Sequence, residues 1–154
     1  MKYSTIYRPQ TFVFDIDGTL ADVSSIRHLV EEGQKNFDAF HRESVNCPTI
    51  PWVTAAAHDA KGMGYRVIQV TARQEKYRPN TSWWLADNLI PSDGLYMRAN
   101  GDYRPDYEVK KEILDRLLKV YDIKMAYDDN PSIVSLWSEY QIPCIVVPGW
   151  QADD

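Results

Sequence analysis

Short runs of β-branched and aromatic residues alternate along the chain with longer stretches whose apolar residues recur every three or four positions. Thr11–Asp15 (TFVFD) is the first run. It reads as a strand buried on both faces that leads into a sharp turn at Gly18. Tyr65–Thr71 (YRVIQVT), Gly94–Arg98 (GLYMR), Lys124–Tyr127 and Ile142–Val147 repeat the strand pattern. Between the first two runs, Pro51 opens a helix carrying Val53, Ala56, Ala57 and Ala60, which ends near Gly62 and Gly64. Pro79–Leu89 is helical, and Asp106–Val120 is the clearest amphipathic helix, with Val109, Ile113, Leu117 and Val120 on one face. Asn130 as N-cap and Pro131 at the first helical position open a last helix that runs to Tyr140. Strands alternating with helices predict an α/β fold: a three-layer, Rossmann-like parallel sheet with helices on both faces.

One stretch departs from that alternation. Ser24–Asn46 is polar and helix-like, with Ile26, Leu29, Val30, Phe37 and Phe40 as its apolar residues. The break at Gly33 and the stop at Cys47 and Pro48 predict two short helices there. Residues from about 22 to 50 are therefore expected to form a small helical insert after the first strand, over the site, within one domain spanning 1–154.

Composition narrows the function classes. The 154 residues are 44% hydrophobic, enough for one core and too little for two. Five Trp, ten Tyr and four Phe exclude a disordered chain. A net charge of −5 excludes a broad basic surface for duplexes, so any nucleic-acid contact must be local and short. Cys47 and Cys144 lie far apart without metal-ligand spacing, and are expected as reduced, partly buried thiols. Met1–Gln10 is polar without a signal-peptide core, and no apolar run is long enough to span a bilayer. A soluble, cytoplasmic protein with no membrane association and no stable protein partner is expected.

The chemistry is sought at the carboxyl ends of the strands, where parallel α/β sheets bind ligands. The polar residues there are Asp15 and Asp17, Thr71 and Arg73, Arg98, and Asp128 with Asp129. Asp15 and Asp17 are two apart, so on an extended chain both carboxylates point into one cavity while Ile16 faces the core. Carboxylates that close repel one another and require a cation or a shared proton. Hard oxygen ligands from Asp15, Asp17, Asp128 and Asp129 suit Mg²⁺, which also bridges to a substrate phosphate. Asp15 then meets a phosphoryl group as an attacking carboxylate. Asp17 protonates the leaving oxygen and later deprotonates water. Thr71 and Lys110 hold the non-bridging oxygens.

Blander readings stand beside these. Asp106 and Lys110 also have the spacing of an ordinary helix-surface pair, and Lys111 is the competing lysine. Arg27 in the insert could reach the site, but reads first as part of a solvated face. His28, His41 and His58 lack ligand spacing and read as surface or packing residues. Trp83 and Trp84 read as core and interface rather than a base-stacking platform.

These motifs, FDIDGTLAD, VTAR, a later Lys and AYDDNPSIV, resemble those of the haloacid dehalogenase-like phosphohydrolases. Phe14–Leu20 is similar to that superfamily's first motif, D-x-D-G-T-L, at every position; Thr71, Lys110 and Asp128–Asp129 stand where the second, third and fourth motifs fall. A narrower resemblance is to the 3′-phosphatase domain of phage-type polynucleotide kinases. Thr71-Ala72-Arg73 is similar to its Thr/Ser-Gly/Ala-Arg, Arg98 to its next strand-end Arg, Arg104, Asp106 and Lys110 to its R-x-D-x-x-x-K, and Ala126–Asp129 to its A-x-D-D. The resemblance implies Mg²⁺ as cofactor and a phosphorylated nucleotide or nucleic-acid 3′ end as substrate. It implies Asp15, Asp17, Thr71 and Lys110 as catalytic residues and Asp15, Asp17, Asp128 and Asp129 as metal ligands. Arg73, Arg98, Asp106 and Thr19 are implied as substrate-binding residues.

Two departures matter. No G-x-x-x-x-G-K-[ST] loop occurs, so no kinase half is expected here, and the stretch from Ala21 to Pro51 is unlike that domain. A small-molecule phosphatase such as a 5′-nucleotidase stays open, favoured by the acidic net charge. A non-catalytic phosphate-binding domain would lack the nucleophile or acid, and both Asp15 and Asp17 are intact.

Overall fold

Successive residues of a strand point to opposite faces of its sheet, and in β1 (Gln10–Phe14) both faces are covered. Val13 packs with Ile68, Val70, Ile113 and Ile133, whereas Phe14 packs with Ile16, Val53, Ala57 and Trp84. The computed structural model describes residues 6–31, 33 and 35–150. The first five residues of the polar N-terminal stretch, and positions 32 and 34 of the insert, lie outside the described residues.

Five strands form one parallel sheet in the order β3-β2-β1-β4-β5. β2 is Arg66–Gln74, β3 Gly94–Arg98, β4 Asp122–Asp128 and β5 Cys144–Val146. Helices α2 (Pro51–Gly62) and α3 (Arg78–Asp87) cover one face; α4 (Asp106–Leu117) and α5 (Pro131–Glu139) cover the other. The three layers are those expected from the alternation of patterns. Because β2 and β4 flank β1, the chain reverses its direction of winding there, and the carboxyl ends of these three strands frame a crevice.

Element ends differ from the sequence pattern in two informative places. α4 stops at Leu117 instead of Val120, and Val120 is exposed in the turn that follows. β2 runs three residues beyond Thr71, but its pairing with β3 shifts register between Thr71 and Gln74. Such an irregularity re-aims side chains, and here it lies at Thr71, Ala72 and Arg73.

Between β1 and α2 lie a 3₁₀ turn (Arg27–Val30) and α1 (Phe37–Ser44). The Asn36 side chain caps α1 by accepting from the Ala39 N–H at 3.0 Å. Ile26 and Phe40 tie this segment to the core beside α2 and α3. Cys47 and Cys144 are both free thiols, the first buried and the second partly so. Among the described residues no helix is long and apolar enough to cross a membrane.

Candidate active site

The chain leaves β1 at Asp15, whose N–H still pairs with the Tyr127 carbonyl of β4 at 3.0 Å. It then turns tightly, with Thr19 and Ala21 N–H both returning to the Ile16 carbonyl. Gly18 sits in this turn at φ +80°, and a Cβ there would lie 2.0 Å from Asp129 Oδ2. Only glycine satisfies both the backbone angle and the close approach. The chain thus leaves extended geometry at Ile16, yet Asp15 and Asp17 still line one cavity.

Asp15, Asp128 and Asp129 each offer an oxygen within 4.8 Å of the others, and all three are buried. Lys110, from the second turn of α4, places its ammonium 2.9 Å from Asp15 Oδ1 and 3.1 Å from Asp128 Oδ2. Lys110 is buried, so it is no helix-surface partner of Asp106; Lys111 instead bonds Tyr140 at the surface. Thr19 is fully buried and donates towards Asp15 Oδ2 at 3.2 Å and Asp129 Oδ1 at 3.3 Å. It aligns the carboxylates and does not line the cavity. Asp128 Oδ1 accepts from the Asn130 N–H, which couples the cap of α5 to the same cluster.

One ammonium therefore faces three carboxylates, and Asp129 Oδ2 is buried without a hydrogen-bond partner. Burial, followed by the charges of Asp15 and Asp128, pushes the Asp129 carboxyl up to about 8. Burial raises Asp128 as well, against the opposing pull of Lys110. Burial disfavours the charge on Lys110 too, yet Asp128 and then Asp15 outweigh it and hold that pKa above the ordinary lysine value. An orphaned oxygen in a cluster with excess negative charge is suited to a hard divalent cation.

Asp17 is not in that cluster. Its carboxylate is held by Arg73, with Nη2 2.5 Å from Oδ1 and Nε 3.0 Å from Oδ2. Burial acts to raise Asp17, but Arg73 outweighs it and keeps the carboxyl below the ordinary aspartate range. Arg73 also donates to Thr81 of α3 at 3.0 Å, which leaves two of its five N–H for a ligand. Thr71 is buried at the cavity wall, and its Oγ1 accepts from the Arg73 N–H.

Arg98 lines the same cavity but is largely engaged within the protein. Four of its five N–H are occupied, by the carbonyls of Ala72, Asp102 and Arg104 and by Asp106 Oδ1 at 2.6 Å. It pins the β3–α4 loop and the start of α4, and so sets where Lys110 stands. Asp106 serves Arg98 in the same strut while its edge still lines the cavity.

The sequence model of the family described as the polynucleotide kinase PNKP phosphatase domain matches residues 9–149. The chain belongs to that family. It is a phosphatase of the haloacid dehalogenase-like class. A chain in the structure of the Pnkp1/Rnl/Hen1 complex is 29% identical at a TM-score of 0.81, covering 94% of this chain and 48% of that one. A protein described as a bifunctional polynucleotide kinase/RNA ligase, from Autographa californica nuclear polyhedrosis virus, is 23% identical over 139 residues. That alignment covers 89% of this phosphatase and 19% of the viral protein, so the chain spans about a fifth of that relative's length. The class C acid phosphatase from Bacillus anthracis, with tungstate bound, shares the fold at a TM-score of 0.69 and 14% identity, covering 94% and 68% of the two chains.

Two residues of the phosphatase's insert, Arg27 and His41, stand in the cavity wall. Arg27 lines the cavity and makes no hydrogen bond or ion pair among the described residues. Its neighbours Ile26, Leu29 and Val30 pack on the core, and that spacing was the available signal. His41 is buried in the cavity wall, its ring 3.9 Å from that of Tyr77, with Nδ1 unpartnered. Burial, then the charge of Arg73, lowers its pKa to about 4.

The unfolded chain therefore binds a proton at this histidine near pH 6.5, whereas the folded chain refuses it until about pH 4. His41 leaves stability intact above pH 6.5 and erodes it as pH falls through that window, by roughly 3 kcal/mol at the lower end. Urea unfolding of His41→Gln between pH 7 and pH 4 is expected to show a shallower loss than wild type; parallel curves would contradict this.

Proposed function

We propose that this phosphatase removes a 3′-phosphate from a polynucleotide or nucleotide, using Mg²⁺ and an aspartyl-phosphate intermediate on Asp15. The observation that carries the proposal is Lys110 set between Asp15 and Asp128 beside the orphaned Asp129 Oδ2. That arrangement suits a carboxylate nucleophile whose neighbours otherwise hold a metal.

Asp15, Asp128 and Asp129 would hold the cation, which when bound neutralises charge on the phosphoryl oxygens. Thr19 and Lys110 fix the two oxygens of Asp15, so the carboxylate is oriented before substrate arrives. Attack by an Asp15 oxygen forms a new O–P bond as the bond from phosphorus to the leaving 3′-oxygen breaks. Lys110, the Thr71 hydroxyl and Arg27, which has no ion pair among the described residues, are available to the non-bridging oxygens. Water then attacks phosphorus, Asp17 takes its proton, and the Asp15–phosphorus bond breaks to release phosphate.

Arg73 keeps Asp17 ionised in the free protein, which suits the second step and opposes the first. The proton for the leaving oxygen can enter with the substrate itself, since a phosphate monoester has its second pKa near 6. As substrate binds, the two open N–H of Arg73 turn its charge towards phosphate and loosen its hold on Asp17.

The deciding assay offers 3′-phosphate and 5′-phosphate oligonucleotides, mononucleotides and sugar phosphates, each with Mg²⁺ and with EDTA. Turnover of the 3′-phosphates with Mg²⁺, falling at least ~100-fold in EDTA, is expected. Preference for 5′-nucleotides or sugar phosphates would replace this substrate with the small-molecule one.

A further inference from the structure

The cavity over Asp15, about 480 Å³, does not end at its mouth. A second, shallower cavity of about 630 Å³ adjoins it, and the two share Lys35, Phe37, Gln74, Tyr77 and Tyr103 as walls. The continuation runs between the start of α1 and the end of β2. It is therefore a groove leading from the phosphate site to the surface, and an ester leaving that site by this route meets these side chains.

Two features of the groove specify a ligand. Phe37 is 52% exposed and Tyr103 82%, so two aromatic side chains from separate segments stand exposed in the shared wall. Lys35 stands in the same shared wall and Lys76 beyond it, opposed among the described residues by Asp38. Asp38 accepts from the Tyr77 hydroxyl and lies 3.9 Å from the Lys76 ammonium, while Lys35 forms no ion pair among the described residues. Among the described residues the groove wall thus carries two lysines and one aspartate, in a chain whose net charge is −5.

Resting on the 3′-phosphatase reading above, we propose that this groove binds the last two nucleotides of a single-stranded polynucleotide. The terminal base stacks on Phe37 and Tyr103, and the next backbone phosphate lies between Lys35 and Lys76. Stacking on an aromatic face needs an unpaired base and tolerates any sequence. One phosphate contact is what so acidic a protein can supply, since a duplex requires a run of basic contacts that the sequence lacks. The polar insert is then the wall that selects a strand end.

The test compares kcat/KM on a mononucleoside 3′-phosphate, a 3′-phosphorylated hexanucleotide and the same strand in a blunt duplex. Wild type is expected to favour the single-stranded hexanucleotide over the mononucleotide by at least ~10-fold, with the duplex poorer. In Lys35→Ala/Lys76→Ala the hexanucleotide-to-mononucleotide ratio should fall towards one, and Phe37→Ala/Tyr103→Ala should raise KM for the hexanucleotide. These four side chains are exposed, and melting curves check that the variants stay folded. A wild-type ratio near one, a duplex preference, or a ratio unchanged in the lysine variant overturns the groove. Anisotropy of a 3′-hydroxyl hexanucleotide separates the two levels. Binding that the lysine variant loses supports the groove even where no 3′-phosphate is hydrolysed, a result that would sink only the catalytic reading.

Discussion

Asp15→Asn is expected to leave a folded protein without measurable turnover. The amide keeps the size of the carboxyl, and its oxygen can still accept from Lys110, so the packing of the turn from Ile16 to Ala21 is preserved. The substitution removes one of three crowded carboxylates, so the metal-free protein should melt no lower than wild type. What is lost is the nucleophile, and removal of such a group costs on the order of 10⁴-fold or more in kcat. Asp17→Asn gives a different signature. It removes a proton carrier, worth about 10²- to 10⁴-fold, and it strips the buried Arg73 of its main partner. Its melting temperature should fall where that of Asp15→Asn does not. Single-turnover assays with a labelled phosphate ester, read beside the melting curves, check both; residual turnover by Asp15→Asn near the wild-type rate would remove it as nucleophile.

The site was legible wherever a local pattern fixed a residue's place. The run TFVFD before a glycine turn placed Asp15 at a strand end, and Asn130-Pro131 marked a helix start next to Asp128 and Asp129. One rule about the carboxyl ends of parallel strands then brought these to Thr71. What stayed hidden depended on where a side chain goes after the chain bends. Asp17 shares the cavity with Asp15, but no spacing reveals that its carboxylate goes to Arg73 instead of joining Asp128 and Asp129. Nothing local reveals the carboxylates that Thr19 occupies, or the carbonyls that take up most of the N–H groups of Arg98 at the cavity wall. In the insert the difficulty is of another kind. A polar helix on the surface and a polar helix walling a cavity share one pattern, and only contacts such as His41 against Tyr77 separate them.

Lys110→Met is expected to have the second-largest effect, and its pattern across pH and metal tells structure from catalysis. Methionine fills nearly the same volume, so the change is one of charge rather than of packing. Lys110 has its pKa raised, so its contribution to stability is fully present below the ordinary lysine value and spans the whole working range. Without it, Asp15, Asp128 and Asp129 are buried together with no counter-charge, a situation that costs about 3–5 kcal/mol. The carboxyls can escape by taking up protons, because burial already raises Asp128 and Asp129. The loss should therefore be large in urea unfolding at pH 8 and much smaller at pH 5. Mg²⁺ at pH 8 should recover part of it, since the cation replaces the missing positive charge and binds only the folded state. Turnover should not recover. Lys110 also fixes Asp15 Oδ1 and faces the phosphoryl oxygens, and loss of such a donor lowers kcat by roughly 10²- to 10³-fold. Equal stability of Lys110→Met and wild type at pH 8 would show that the three carboxylates do not depend on this ammonium. A rate restored by Mg²⁺ would confine Lys110 to charge balance.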